Sequence, residues 1–160
     1  MKGKFTLFAV FCLAALTAAH RAPASQASQP QASAASRSVW DGVYSSEQAK
    51  RGGALYYSKC SACHGESLNG GGSDDDDAPA LVGKDFQKAW NGRTVNALFE
   101  KISRTMPRDN PAHLTPAGYA DLVAYILSAN QFPAAKAELP TDAELLKQIR
   151  IEAAKAALAK

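Results

Sequence analysis

Apolar residues recur along this chain at helical spacing, in stretches separated by polar and glycine-rich runs. Ser45 with Gln48 reads as a capping box, predicting a helix over residues 46–58 with Leu55 and Tyr56 on its inner face. A short helix is expected over 85–89, leading to Trp90. Thr94 is a good N-cap for a helix over 95–103, where Leu98, Phe99 and Ile102 form an apolar stripe. Thr115 followed by Pro116 predicts another N-cap, with proline at the first helical position. That helix carries Tyr119, Leu122, Val123 and Ile126 and ends near Asn130, before Phe132-Pro133. Thr141 and Glu144 suggest a further capping box. It would open a helix through Leu145, Leu146 and Ile149, extended by the Ala- and Lys-rich residues 151–160. No stretch alternates Val, Ile or Thr with polar residues as a strand does. The pattern therefore predicts an all-α fold with an additional C-terminal helix.

Between the first two helices lies Cys60-Ser61-Ala62-Cys63-His64, the attachment signature of a c-type haem. Two thiols add across the haem vinyl groups, and the adjacent His gives an imidazole nitrogen to the iron. The two-residue spacing presents both sulfurs from a single turn. The competing reading is half a zinc site, but structural zinc usually takes four protein ligands. The remaining candidates are Cys12, His20 and His113, which make no second pair. A thioredoxin-like redox pair would want a βαβ context, and none is visible.

The other face of the iron needs a ligand. Apart from the initiator, Met106 is the chain's one Met. Met is ordinarily a pliable core filler, yet Arg104-Thr105-Met106-Pro107-Arg108 is a polar, proline-containing loop, a poor place for core packing. His/Met ligation is the cytochrome c pairing and raises the reduction potential. His113, just before the next helix, is the rival ligand. Trp90 is a candidate for contact with a haem propionate through its indole N–H, with core packing as the alternative.

Residues 38–132 resemble a class I cytochrome c, the small monohaem electron carriers of bacterial periplasms. The resemblance rests on the haem motif and on Gly52 and Tyr56, where that family keeps a Gly and an aromatic in its first helix. Leu122-Val123-Ala124-Tyr125-Ile126 is similar to the last core helix that crosses it. It implies that Pro79, in Ala78-Pro79-Ala80-Leu81, offers its carbonyl to the haem His N–H, fixing the imidazole. Val39-Trp40-Asp41-Gly42-Val43-Tyr44 and the stretch 106–125 resemble cytochromes associated with quinoprotein dehydrogenases. The fold implied is a cytochrome c fold, its helices wrapped around one covalently attached haem c.

The ends of the chain read differently. Lys2 and Lys4, then the apolar 5–16, then small residues including Ala22-Pro23-Ala24, form a secretory signal peptide; an uncleaved anchor is the alternative. The expected organisation is a signal peptide over 1–24, a flexible linker rich in Ala, Ser, Gln and Pro over 25–38, a cytochrome c domain over 39–133, and a linker and helix over 134–160. Export implies the periplasm, with no stable membrane span after cleavage. Removing 1–24 takes Lys2, Lys4 and Arg21 from the 18 basic residues and leaves 15 against 15 acidic ones, so no basic field points to nucleic acid. The run Gly65 to Ala80, with Gly70-Gly71-Gly72 and Asp74 to Asp77, reads as a solvated surface loop. A calcium loop is the alternative for the four Asp, but EF-hand spacing is lacking.

These features predict a one-electron carrier rather than an enzyme, exchanging electrons with redox partner proteins: a dehydrogenase as donor, an oxidase or another cytochrome as acceptor. The alternatives are a cytochrome subunit accepting electrons within a quinoprotein alcohol dehydrogenase complex, a haem peroxidase using His113, or a gas sensor from which Met106 departs.

Overall fold

The computed structural model describes residues 36–75 and 77–153. The expected signal peptide, most of the linker, Asp76 and the 154–160 extension lie outside the described residues. The elements run β1 (Arg37–Ser38), a 3-10 turn (Val39–Asp41), α1 (Ser46–Lys59), α2 (Ser61–His64), α3 (Gly83–Trp90), α4 (Val95–Thr105), α5 (Pro116–Ala129), α6 (Ala143–Lys147) and β2 (Ile149–Arg150). The described residues are all-α, as expected, with a minimal strand pair added.

The α1–α5 crossing organises the core. α5 is apolar nearly all round, burying Tyr119, Leu122, Val123, Ile126 and Leu127 among others, as expected of a central helix. Gly52 sits where the two backbones meet. A Cβ there would lie 1.8 Å from the Asp121 carbonyl oxygen and 2.9 Å from Tyr125 Cβ, so no side chain fits. Asp121 is 7% exposed and is held by a two-pronged Arg51 guanidinium, Nε and Nη2 lying 3.0 and 2.9 Å from its two oxygens. Burying a carboxylate requires such pairing.

The helix starts follow the sequence closely. Ser45, Thr94 and Thr115 each cap their helix, the side chain accepting from the backbone N–H three residues on. The Ser45 box is only half formed. Gln48 is buried and turns instead to the segment after α5, accepting from Leu139 N–H at 2.7 Å and donating to its carbonyl at 3.1 Å. A buried amide takes whichever partners satisfy both its ends, and an extended backbone offers both. Tyr44 ties down the same segment: its hydroxyl donates to the Phe132 carbonyl at 2.5 Å, and its own carbonyl accepts from Ala135 N–H at 2.8 Å.

The C-terminal segment departs from expectation. Its helix is five residues long, and its cap is Asp142, accepting from Leu145 N–H, not Thr141. Ile149 and Arg150 then form a strand parallel to Arg37 and Ser38, residues expected in the linker. Ile151 pairs with the α3–α4 turn: Gly92 N–H donates to its carbonyl and its own N–H donates to the Arg93 carbonyl, both at 2.8 Å. Leu146, Ile149 and Ile151 are 0–2% exposed. Of the apolar residues expected to line one long helix, Leu146 is buried from a helical turn and Ile149 from a strand, while Leu145 is half exposed. The Trp40 indole N–H donates to the Glu152 carbonyl at 2.9 Å, joining the two ends of the described chain. No helix among the described residues is long and apolar enough to cross a membrane.

Candidate functional site

The haem motif is a single tight turn on the end of α1. Cys60 N–H donates to the Tyr56 carbonyl at 2.8 Å, and Cys63 and His64 N–H both donate to the Cys60 carbonyl, at 3.2 and 2.9 Å. The backbone at Cys60 (φ −129°, ψ −30°) breaks α1 from α2, which lets the next four residues fold back. The Tyr56 hydroxyl anchors the far end of the turn by donating to the Gly65 carbonyl at 2.5 Å. Both cysteines are free.

His64 is buried, 8% exposed, with Nδ1 lying 3.0 Å from the Pro79 carbonyl oxygen. A carbonyl only accepts, so Nδ1 carries the proton and Nε2 keeps its lone pair for a metal. Pro79 is presented by the glycine-rich loop. Gly70 N–H donates to the His64 carbonyl at 3.0 Å, Gly72 N–H to the Cys63 carbonyl at 2.7 Å, and Asp74 N–H to the Ala62 carbonyl at 3.0 Å. A Cβ on Gly72 would stand 2.2 Å from the Ala62 oxygen, and one on Gly70 2.4 Å from the Ala78 oxygen. The glycines let this loop lie directly against the motif backbone, so the exposed surface loop also braces the motif. Within the Asp run, Asp75 pairs with Arg108 at 2.5 Å, and its carboxylate also accepts from Asp77 N–H at 3.1 Å. Among the described residues no group of three or more His, Cys, Asp or Glu could hold a metal ion.

Met106 lies at the C-terminus of α4. Its N–H donates to the Ile102 carbonyl at 3.0 Å, and its own backbone (φ −129°, ψ 145°) leaves the helix. Met106 and Cys60 line one small cleft together with Lys59, Ile102, Pro107, Leu114, Tyr119 and Leu122. Met106 and Cys60 thus border a common space walled mainly by apolar residues. Burial pushes the Cys60 thiol up to about 11, with the neighbouring Cys63 adding to the shift. The donor set fits haem c: two thiols on one turn, an imidazole whose Nδ1 is engaged by the Pro79 carbonyl, and a methionine bordering an apolar cleft that Cys60 also lines.

The rival ligand is placed differently. His113 is exposed, its Nδ1 2.9 Å from the Asn110 carbonyl oxygen, and it is not among the residues lining the cleft. Trp90 does not line the cleft either. Its ring packs near Phe86, centroids 6.4 Å apart, with the Arg93 guanidinium 5.4 Å from its centroid. Sequence reading missed the Tyr56 hydroxyl bond, the Asp75–Arg108 pair and the bracing role of the glycines. The Gly-Gly-Gly run soon after the motif was the available signal for the last of these.

A family model described as cytochrome c oxidase, cbb3-type, subunit III matches residues 47–126. The match begins in the first turn of α1 and ends within α5, so it includes Cys60, Cys63, His64, Pro79 and Met106. Among solved structures the chain is similar to the sulfane dehydrogenase SoxCD from Paracoccus pantotrophus, with 20% identity and a TM-score of 0.44. That alignment covers 64% of this chain and 52% of the other, so the chain spans about half the length of the protein it resembles. No curated protein matches.

Proposed function

The chain belongs to the cbb3-type cytochrome c oxidase subunit III family of c-type cytochromes, and from that premise we propose that it is a periplasmic one-electron carrier with a single haem c ligated by His64 and Met106. It is an electron-transfer protein rather than an enzyme, and the group it carries is covalently bound haem c. Bound haem c supplies an iron that alternates between two oxidation states, and the residues set its attachment, its potential and its isolation from water. Cys60 and Cys63 are the attachment points. His64 would hold the iron through Nε2, its ring oriented by the Pro79 carbonyl. Met106 would supply the second ligand, and a thioether there would favour the reduced iron and raise the potential. Were His64 and Met106 both to hold the iron, no ligand position would be left for a substrate, which would set a carrier apart from a peroxidase or a gas sensor.

One observation carries the reading: Met106 opens onto the same apolar cleft as Cys60, while His113 is exposed and occupied with Asn110. The single C-x-x-C-H in the chain supports one haem. The signal-peptide pattern of residues 1–24 supports export, since haem c is attached outside the cytoplasm. A donor and an acceptor protein are required by the chemistry of a carrier. The family description, an oxidase subunit, favours work within or beside a larger redox complex.

The absorption spectrum of the ferric holoprotein tests the ligation. A Met-to-iron charge-transfer band is expected in the wild type, retained in His113→Ala and lost in Met106→His. A wild-type spectrum without that band, or a band that disappears with His113, overturns the assignment.

A further inference from the structure

The two proposed iron ligands come from separate parts of the chain, and one ion pair joins those parts. His64 belongs to the motif turn, whose backbone is bonded to the loop 70–78 at Ala62, Cys63 and His64. That loop carries Asp75. Met106 begins the loop 106–115, in which residues 108–113 are all exposed. Its internal backbone bond is Asn110 N–H to the Pro107 carbonyl, with His113 closing onto Asn110. Arg108, two residues after Met106, reaches the Asp75 carboxylate at 2.5 Å. Asp75 is the better fixed partner, with its side chain 19% exposed against 74% for Arg108.

We propose that Asp75 and Arg108 form a clasp across the haem crevice that holds the Met106 loop against the His64 side, making both positioning residues for the methionine ligand. This inference rests on Met106 being the distal ligand. The Asp75 carboxylate is immobilised by a brace continuous with the motif turn, so a pull on it is felt by that turn and not by a free side chain. Arg108 transmits the hold to a loop with few bonds of its own. Releasing Met106 from the iron requires that loop to swing out, and the swing must break the pair. The clasp therefore acts on the bound-versus-released equilibrium of Met106 without touching the iron. Its size is that of a mostly exposed ion pair, which is modest.

Exogenous imidazole is the probe. It competes with Met106 for ferric iron, and each binding event removes the Met-to-iron band. In full-length holoprotein, Asp75→Asn and Arg108→Gln should each raise imidazole affinity about two- to fivefold, in keeping with an exposed pair. The double variant should match the singles, because one interaction is lost in all three. Raising salt to about 1 M should bring the wild type toward the variants while moving the variants little. The band should persist without imidazole, and the thermal midpoint for global unfolding should stay near that of the wild type. Singles that bind imidazole like the wild type, effects that simply add in the double variant, or affinity gains that only follow lost global stability all overturn the clasp. A wild type without the band overturns the ligation, and the clasp with it. The two failures are distinguished by which protein shows them.

Discussion

At the residue scale the site depends on backbone carbonyls and missing side chains as much as on the ligands. The Pro79 carbonyl accepts a hydrogen bond from His64 Nδ1, which leaves Nε2 for the proposed ligation, and Pro79 is held there because Gly72 allows a loop to lie on the Ala62 and Cys63 backbone. Gly72→Ala would place a methyl group 2.2 Å from the Ala62 oxygen and push the brace off the motif. We expect far less haem-loaded protein on expression, visible as loss of haem staining in a denaturing gel. Wild-type loading in that variant would show the brace to be incidental. Cys60→Ala or Cys63→Ala should likewise cripple haem retention, because each removes one covalent link. The motif was legible because its spacing is itself the chemistry. Pro79 was legible only through family likeness, since nothing local marks a carbonyl for that duty. The Asp75–Arg108 pair was not legible, because its partners stand 33 residues apart and a run of like charges reads as a solvated face.

At the element scale, the crossing and the C-terminal segment make opposite points. Gly52 was legible as a crossing residue through the family likeness, and the physics agrees: a glycine inside a helix costs stability and needs a compensating close approach. Gly52→Ala should improve α1 on its own by about 1 kcal/mol. It should still destabilise the protein, since overpacking costs about 1–3 kcal/mol and the clash here is with rigid backbone. Denaturant unfolding of the holoprotein checks this, and an unchanged midpoint would show that the helices separate freely. In the C-terminal segment the expected helix is present but ends at Lys147, before Ile149. Leu145, Leu146 and Ile149 have helical spacing, but Ile149, Arg150 and Ile151 also alternate buried, exposed, buried. Three residues are too few to separate the two periods from sequence alone, and the strand's partner lies more than a hundred residues earlier. Leu146 is fully buried, so Leu146→Ala should cost about 2–5 kcal/mol. Deleting 141–160 should destabilise the haem domain and not merely alter its docking. A truncated holoprotein that melts like the full chain would contradict this packing.

At the scale of the whole molecule, buried tyrosines tie the folded state to pH. Burial, with weaker contributions from Cys60 and the neighbouring tyrosines, raises the Tyr56 hydroxyl well above its ordinary value. Tyr44 and Tyr125 are raised too, again chiefly by burial. The unfolded chain releases these protons near pH 10, while the folded chain holds them. The unfolded state then binds fewer protons, and stability falls as pH rises. The contribution is complete below about pH 10 and is lost as pH climbs through the raised folded values. Tyr56→Phe should lose the bond to Gly65, worth about 0.5–1.5 kcal/mol at neutral pH, and should show a shallower alkaline decline. An equally steep decline in that variant would place the titration elsewhere.

The central claim is a single haem c iron held between His64 and Met106 and used for outer-sphere electron transfer. A potentiometric titration of the full-length holoprotein, beside Met106→His and His113→Gln, tests it most directly. The account predicts one reversible one-electron wave per chain, a marked fall in potential in Met106→His, because imidazole stabilises ferric iron more than a thioether does, and no shift in His113→Gln. A wave of more than one electron, or a potential that follows His113 and ignores Met106, would contradict it.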